Sequence, residues 1–408
     1  MSSRRMAALF LGVVTLALSG LGSPARAADK VKIAIGHIPH MTGAYAAGQA
    51  GINDAFLDTV KWANENNYVP GVEVVATWAD GGTDVAKSTA AFKKMIAETP
   101  RPVNIIGEST PMGVALKSWH YKEMVPDIEG GSSVDFFSLP SATFSHVAPY
   151  VNQAAAFIDY FMKKIWKEKR APRFAWLTWD NAAGRSPITP EVEAYIKSRG
   201  VEIVGQEFIP AVPTDMTPQL LRLKNLNVDV VYGAAYHNAY AVVLKDAEKL
   251  GLLGKFTIGL MYWCSPTSLI EQVGPLANGI WQTNVAILDD EWATKAPRYE
   301  EIYKKNNRTS NRAIYGSGAW KTAIALENVK MAVAAVGAQK TDGKAAYDAL
   351  TKMKDFDSWG YAPATSFSET RRYGQDQVII YRIDNGKSKP VELYPTPDVI
   401  PGGKDVPK

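Results

Sequence analysis

Short runs of β-favouring apolar residues alternate with stretches of helical periodicity along most of this chain, and that alternation leaves few folds open. A strand over 31–36, a helix over 48–66 and a strand over 72–78 come first. A helix over 83–98, a strand over 103–107, a helix over 111–123 and a short strand over 126–129 follow. Strands separated in this way by helices run parallel, because a crossover is needed to return the chain to the same end of the sheet. A second series opens after 146–149 with a long helix over 150–168 and carries strands at 173–178, 201–208, 228–233, 256–260 and 279–283. The two series predict an α/β protein of two lobes. Each lobe is a doubly wound, mostly parallel sheet flanked by helices, and a multi-strand hinge joins them. Helices over 292–305, 315–336 and 343–353, then an antiparallel pair at 364–368 and 378–384, return the chain to the first lobe and then the second. The predicted lobes are 28–147 with 284–357 and 148–283 with 358–394, leaving 395–408, rich in Pro and Gly, as an exposed tail.

The chain opens with Arg4 and Arg5, an apolar run over 7–21, and Ala25-Arg26-Ala27, an A-x-A cleavage site. This pattern predicts a signal peptide over 1–27. The run is broken by Gly12 and Gly20 and falls short of the roughly 20 residues a membrane-spanning helix needs. No cysteine stands at the start of the mature chain to carry a lipid, so the expected location is free in the periplasm. Loss of a leader bearing Arg4, Arg5 and Arg26 and no acid takes the formal charge from +4 to +1. A surface so near neutrality offers no footprint for nucleic acid. Cys264 is the single cysteine, so no internal disulfide forms and the fold rests on buried core.

Five fragments carry a resemblance: VKIAIGHIPHMTGAYAAG, VNIIGESTPMGVAL, VPDIEGGSS, VDVVYGAAYHNAYAVVLKDAEKLGL and ATSFSETRRYGQDQVIIYRIDNG. In this order and spacing the chain resembles the type I periplasmic binding proteins of ABC importers, the leucine-isoleucine-valine-binding family. The resemblance implies a monomeric bilobal receptor that closes on a small ligand and presents it to permease subunits in the inner membrane, with no catalysis and no cofactor. A sensing module that reports the same ligand to a membrane kinase or chemoreceptor is the alternative use of such a receptor.

Ligands of open α/β sheets bind beyond the carboxyl ends of the strands, and Gly107-Glu108-Ser109-Thr110-Pro111 has that layout. Thr110 before Pro111 reads as an N-cap, with Pro at the first helical position. The free N–H groups and positive dipole end of a helix start suit a carboxylate, and the Ser109 and Thr110 hydroxyls add donors. A helix cap without a ligand is the plain alternative. The resemblance assigns the carboxylate to Ser109 and, from the next loop, to Gly131 and Ser133. The acid just before them, Glu129, has to point away from an anion. The resemblance also places Tyr45 at the cleft mouth and Tyr236 against the ligand from lobe two.

The chain departs from its amino-acid-binding relatives at Met261-Tyr262-Trp263, where those relatives carry a glutamate that pairs with the ligand ammonium. A buried cation without its partner is costly. Met261, Tyr262 and Trp263 offer aromatic and polarizable surface, with Trp179 and Asp180 extending the wall, so an aromatic or apolar carboxylic acid is the expected ligand. A branched-chain or other amino acid remains the alternative, with Asp180 or Glu129 standing in for the missing acid. His37 and His40 lack further ligands at metal spacing. No G-x-S-x-G elbow, P-loop or G-x-G-x-x-G fingerprint is present.

Overall fold

The computed structural model describes residues 30–407; the signal peptide expected over 1–27 lies outside the described residues. In chain order the elements are β1 (Val31–Ile38), α1 (Ala46–Gln49), α2 (Ile52–Glu65), β2 (Val72–Trp78), α3 (Val85–Ile96), β3 (Pro102–Gly107), α4 (Thr110–Glu123), β4 (Asp127–Glu129) and β5 (Thr143–Ser145). The second series runs α5 (Tyr150–Tyr160), β6 (Arg173–Trp179), α6 (Ala182–Arg185), α7 (Pro190–Ser198), β7 (Glu202–Ile209), α8 (Thr217–Asn225), β8 (Val230–Gly233), α9 (His237–Lys249), β9 (Thr257–Met261), α10 (Pro266–Val273) and β10 (Trp281–Asn284). Then come α11 (Trp292–Lys295), α12 (Pro297–Lys305), α13 (Arg312–Val336), α14 (Gly343–Leu350), β11 (Gln377–Asp384) and β12 (Lys387–Pro395).

Two sheets result, in the orders β2-β1-β3-β4-β5 and β12-β11-β10-β9-β8-β6-β7. Every pairing of the first sheet is parallel. In the second, β7, β6, β8, β9 and β10 are parallel, while β11 and β12 are antiparallel additions. Parallel strands are covered by helices on both faces and therefore read as nearly continuous apolar runs. The last six residues of β1 are all buried. Strand order reverses between β1 and β3 in one sheet and between β6 and β8 in the other, and such reversals open the crevices where ligands bind. Register aligns the strand ends there: Ile38 lies opposite Gly107, and Gly107 opposite Glu129.

The chain passes between the sheets around 145–150, 284–289 and 361–377, and these passes are laced together. Ser145 N–H donates to Arg372 O at 2.8 Å and Gly374 N–H to Ser145 O at 2.8 Å; Gln375 Nε2 donates to Val285 O at 3.3 Å. Arg372 is buried without a carboxylate partner. Its guanidinium donates to Ser141 O, Ser368 O and Tyr347 Oη and lies over the Phe144 ring.

Several expectations need correction. The predicted strand at 364–368 is only a bridge between Phe356 and Thr365, because 366–374 turns back on itself to lace the hinge. The antiparallel partners of β11 are β10 and β12. Pro390 and Pro395 disguised β12, yet an edge strand tolerates proline, and the register slips where Tyr381 meets Pro390. The helix over 48–66 is split at Gly51, whose φ of 89° only glycine adopts easily, and the helix over 292–305 is split before Pro297. The helix over 150–168 ends in a π-turn at Phe161–Ile165. The tail is not wholly exposed: Val399 is buried in the lobe-two core and its N–H donates to Asn152 Oδ1 at 3.0 Å.

Replacing Arg372 by Met would leave the Ser141 and Ser368 carbonyls without their donors, costing about 2 kcal/mol or more. Urea unfolding of Arg372→Met is expected to show a lowered midpoint; an unchanged midpoint would remove Arg372 from the hinge.

Candidate functional site

The loop after β1 is folded around Asp80. Its carboxylate accepts from Met41 N at 2.8 Å, Thr42 Oγ1 at 2.6 Å and Gly82 N at 2.9 Å. Despite partial burial, these donors and Lys87 hold the carboxyl well below the usual range. The folded loop presents Tyr45 across the cleft, where it lies 6.0 Å from the Trp179 ring in a stacked arrangement, and Asn181 Nδ2 donates to its hydroxyl at 3.1 Å.

At the end of β3 the N-cap of α4 is Ser109, not Thr110 as expected; Ser109 is extended at φ −156° and ψ 124° and Thr110 is the first helical residue. The Ser109 hydroxyl makes no capping bond. It lies 3.4 Å from Met112 Sδ, leaving the helix start uncapped by a side chain. Thr110 Oγ1 is 3.1 Å from Tyr150 Oη. Gly131 is where the next loop crosses this one: a Cβ there would be 2.4 Å from Thr110 Oγ1. Its N–H donates to Glu129 Oε1 at 3.0 Å. Ser133 is buried between the lobes, donating to Asp135 Oδ2 at 2.9 Å and accepting from Ser186 Oγ at 3.0 Å.

From lobe two, Tyr236 projects between Trp179 at 4.6 Å, Trp263 at 5.9 Å and Tyr45 at 6.1 Å, ring centre to ring centre. It rests on Gly48, where a Cβ would be 2.3 Å from the ring. Tyr262 Oη donates to Gly130 O at 2.5 Å, and its ring stacks on Trp263 at 4.8 Å. Trp263 Nε1 donates to Tyr150 Oη at 2.8 Å. Met261 is a different case: it closes β9 fully buried, in the core that includes Phe157 and Tyr232. The wall is made by the two residues after it.

Beside this aromatic cluster, between the lobes and against the hinge, is a cavity of about 60 Å³, room for a few waters. Gly48, Ile52, Tyr262, Trp263, Asn284, Val285, Ile287, Ile314, Ser317 and Trp320 are among its lining residues; among the described residues no charged one lines it, and of the predicted site residues only Tyr262 and Trp263 do. Sequence reasoning missed the hinge residues, Gln49 and Tyr150. Only the hinge location was a signal for them.

Behind the Ser109 loop lies a closed polar centre. Glu108 and Lys321 are fully buried with Nζ 2.5 Å from Oε2, and His37 Nε2 is 3.1 Å from Oε1. Burial raises the Glu108 carboxyl, but the Lys321 ammonium and His37 outweigh that and hold it below the usual range. Gln49 Nε2 donates to the Glu108 carbonyl at 2.9 Å while its Oε1 accepts from His40 N at 2.8 Å. Burial, then the nearby Lys321 charge, push His146 down to about 3. Neither stand-in acid is free for an ammonium: Asp180 pairs with Arg185 at 2.6 Å at the surface, and Glu129 is buried under the loop. Among the described residues no group of three or more His, Cys, Asp or Glu is placed to hold a metal ion.

Comparison with known proteins agrees with this architecture. The profile of a family described as periplasmic binding protein matches residues 32–388, and the chain belongs to that family. The fold is the type I arrangement implied by the resemblance. A branched-chain amino acid ABC transporter protein from Thermus thermophilus with bound valine superposes with a TM-score of 0.81 at 21% identity, covering 91% of this chain and 98% of that one. A fatty acid ABC transporter substrate-binding protein from Thermomonospora curvata gives 0.77 at 18% identity, covering 93% and 96%. A leucine-binding protein from Thermotoga maritima gives 0.70 at 18% identity, covering 90% and 99%. No curated protein sequence matches the chain.

A Cβ at Gly48 has nowhere to go while Tyr236 is in place. Gly48→Ala is expected to hold the lobes apart at about 1–3 kcal/mol of overpacking, seen as a larger radius of gyration by small-angle scattering. Unchanged dimensions would mean that Tyr236 yields instead.

Proposed function

We propose that this chain is the periplasmic receptor of an ABC importer, capturing a small aromatic or apolar carboxylic acid by lobe closure. The observation that carries the reading is an interlobe cavity walled by Tyr262, Trp263, Trp320 and aliphatic hinge residues, with no charged residue among the described residues that line it. A zwitterion would bury an ammonium there without a counter-ion, at a cost of several kcal/mol. An acid needs only the uncapped start of α4, where Ser109, Thr110 and the helix dipole favour negative charge. Gly131, across from Thr110, lets the second loop approach closely enough to share that end. Tyr45, Tyr236, Tyr262 and Trp263 supply the apolar contacts, and Ser133, buried in the same loop as Gly131, adds a hydroxyl.

Closure follows as a population shift, since the ligand meets both lobes only in the closed form. The Tyr45–Asn181, Ser133–Ser186, Tyr262–Gly130 and Thr110–Tyr150 hydrogen bonds cross the interface and add to that state. The fatty-acid-binding neighbour favours an acid without an ammonium, while the valine-bound neighbour favours the amino-acid reading. The permease and a periplasmic location follow from the importer role.

Calorimetry with benzoate, a hydroxycinnamate and leucine, with mass spectrometry of whatever co-purifies, tests the reading. Binding of an aromatic acid without leucine binding is the expected outcome; tight leucine binding alone would overturn it. The Ser109→Ala/Thr110→Val double variant is expected to weaken binding by about 2–3 kcal/mol, roughly one to two orders of magnitude in Kd.

A further inference from the structure

Glu129 is an acid set against a site for an anion, and the structure shows how it is housed. Its carboxyl is enclosed, with Oε1 accepting from the Gly131 N–H at 3.0 Å, one of the main-chain groups assigned to the ligand. Oε2 points under the start of α4: a Cβ would be 2.4 Å from it at Gly107 and 2.6 Å at Gly113. Two glycines, on β3 and α4, thus make room for this one carboxyl. A cavity of about 10 Å³ adjoins it, near the volume that admits a single water.

Every element around Glu129 contributes a titratable group. Asp127 shares its face of β4, Glu108 follows β3, and His120 of α4 lines the same small cavity. His146, after β5, has Nδ1 3.1 Å from the Glu129 carbonyl, Tyr262 reaches Gly130 from lobe two, and His37 of β1 is bonded to Glu108. Lys321 of α13 is the cation of the group, and its ammonium is committed to Glu108 at 2.5 Å. Asp127 Oδ2 lies 4.0 Å from His120 Nε2, an imidazole that burial pushes down to about 4 and so keeps neutral, and among the described residues Glu129 has no ion pair. Burial raises both carboxyls, Asp127 well above the ordinary range and Glu129 up to about 8; the Gly131 amide pulls Glu129 the other way without overcoming burial.

We propose that Glu129 is the charge-selecting residue of the lobe-one site. Holding a proton, it leaves the α4 start free to stabilise a ligand carboxylate; losing the proton, it puts an anion beneath the same amides and expels the ligand. The two anions compete for one set of N–H groups and one dipole end. Proton and ligand are therefore linked, and each raises the affinity for the other by the same factor. This inference rests on the carboxylate reading above.

Benzoate is the probe. Near pH 8, calorimetry in two buffers of unlike ionisation enthalpy is expected to show a fraction of a proton taken up per benzoate bound. Above that pH the apparent Kd should rise about tenfold per pH unit, as the competent fraction falls. In Glu129→Gln the uptake should vanish and the affinity should hold constant with pH. Benzoate binding to the wild type without proton uptake would overturn the proposal and leave the functional reading standing.

A second measurement needs neither ligand nor functional reading. A carboxyl raised from its ordinary 4.5 to about 8 stabilises the fold fully below 4.5 and loses that contribution as pH rises through about 8. Melting temperature should therefore fall with rising pH across that window more steeply in the wild type than in Glu129→Gln. If neither protein binds benzoate or a hydroxycinnamate at any pH, the carboxylate reading fails and the ligand-linked role falls with it; the melting slopes then decide only whether Glu129 holds the proton, equal slopes showing that it does not and a steeper wild-type slope that it does.

Discussion

The pairing of Lys321 with Glu108 is the constraint around which the ligand-facing half of lobe one is arranged. Both side chains are fully enclosed, and an enclosed charge persists only when paired and hydrogen-bonded. Glu108 meets that condition on every side: one carboxylate oxygen faces Lys321, the other His37, and its carbonyl accepts from Gln49. The residue just before Ser109 therefore has no freedom left, and the start of α4 is held where β3 ends. Lys321 lies on α13, whose first turns line the interlobe cavity through Ile314 and Ser317, so one ion pair ties cavity wall and anion loop into a single body.

Lobe two answers this polar, rigid surface with aromatic rings. Tyr236, Trp179, Trp263 and Tyr262 form a continuous edge-to-face and stacked series that meets Tyr45 from the other side. Rings bury large area at low entropy cost while keeping a polar tip, and here the tips make the interlobe hydrogen bonds. Tyr150 is the junction. It starts α5 at the hinge, and its hydroxyl touches Thr110 of one lobe and Trp263 of the other. On the proposed reading, shape and apolar contact thus come from lobe two, and charge selection from lobe one.

The architecture was legible because parallel strands buried on both faces leave nearly continuous apolar runs, as in 31–36 and 228–233, broken only by Lys32 and Asp229, and helices between them restore amphipathic spacing. Strand β12 was not, because an edge strand with two prolines and alternating Lys, Ser and Glu looks like a loop until β11 pairs with it. The tail was misread for a related reason, since the burial of Val399 depends on Asn152, far away in sequence. Ser109, Gly131, Tyr236, Tyr262 and Trp263 could be proposed for the site from the sequence because they follow strand ends, where parallel sheets place their loops. Met261 failed by one position. It still belongs to the strand, so its side chain follows the pleat into the core, and the chain turns into the cleft only at Tyr262. Gln49 and Lys321 carried no local signal, because their partners are brought to them by the fold.

The same geometry explains why Glu129 is tolerated at all. An ionised acid there would compete with any ligand anion and would stand beside Glu108 with the available cation already taken. Glycine at 107 and 113 lets the carboxyl withdraw from the cleft into the space under α4, and withdrawal removes it from water. Removal from water favours the neutral acid, and the neutral acid leaves the positive end of α4 uncancelled. On the carboxylate reading, burial that looks adverse for an acid is therefore what keeps the neighbouring site receptive to one.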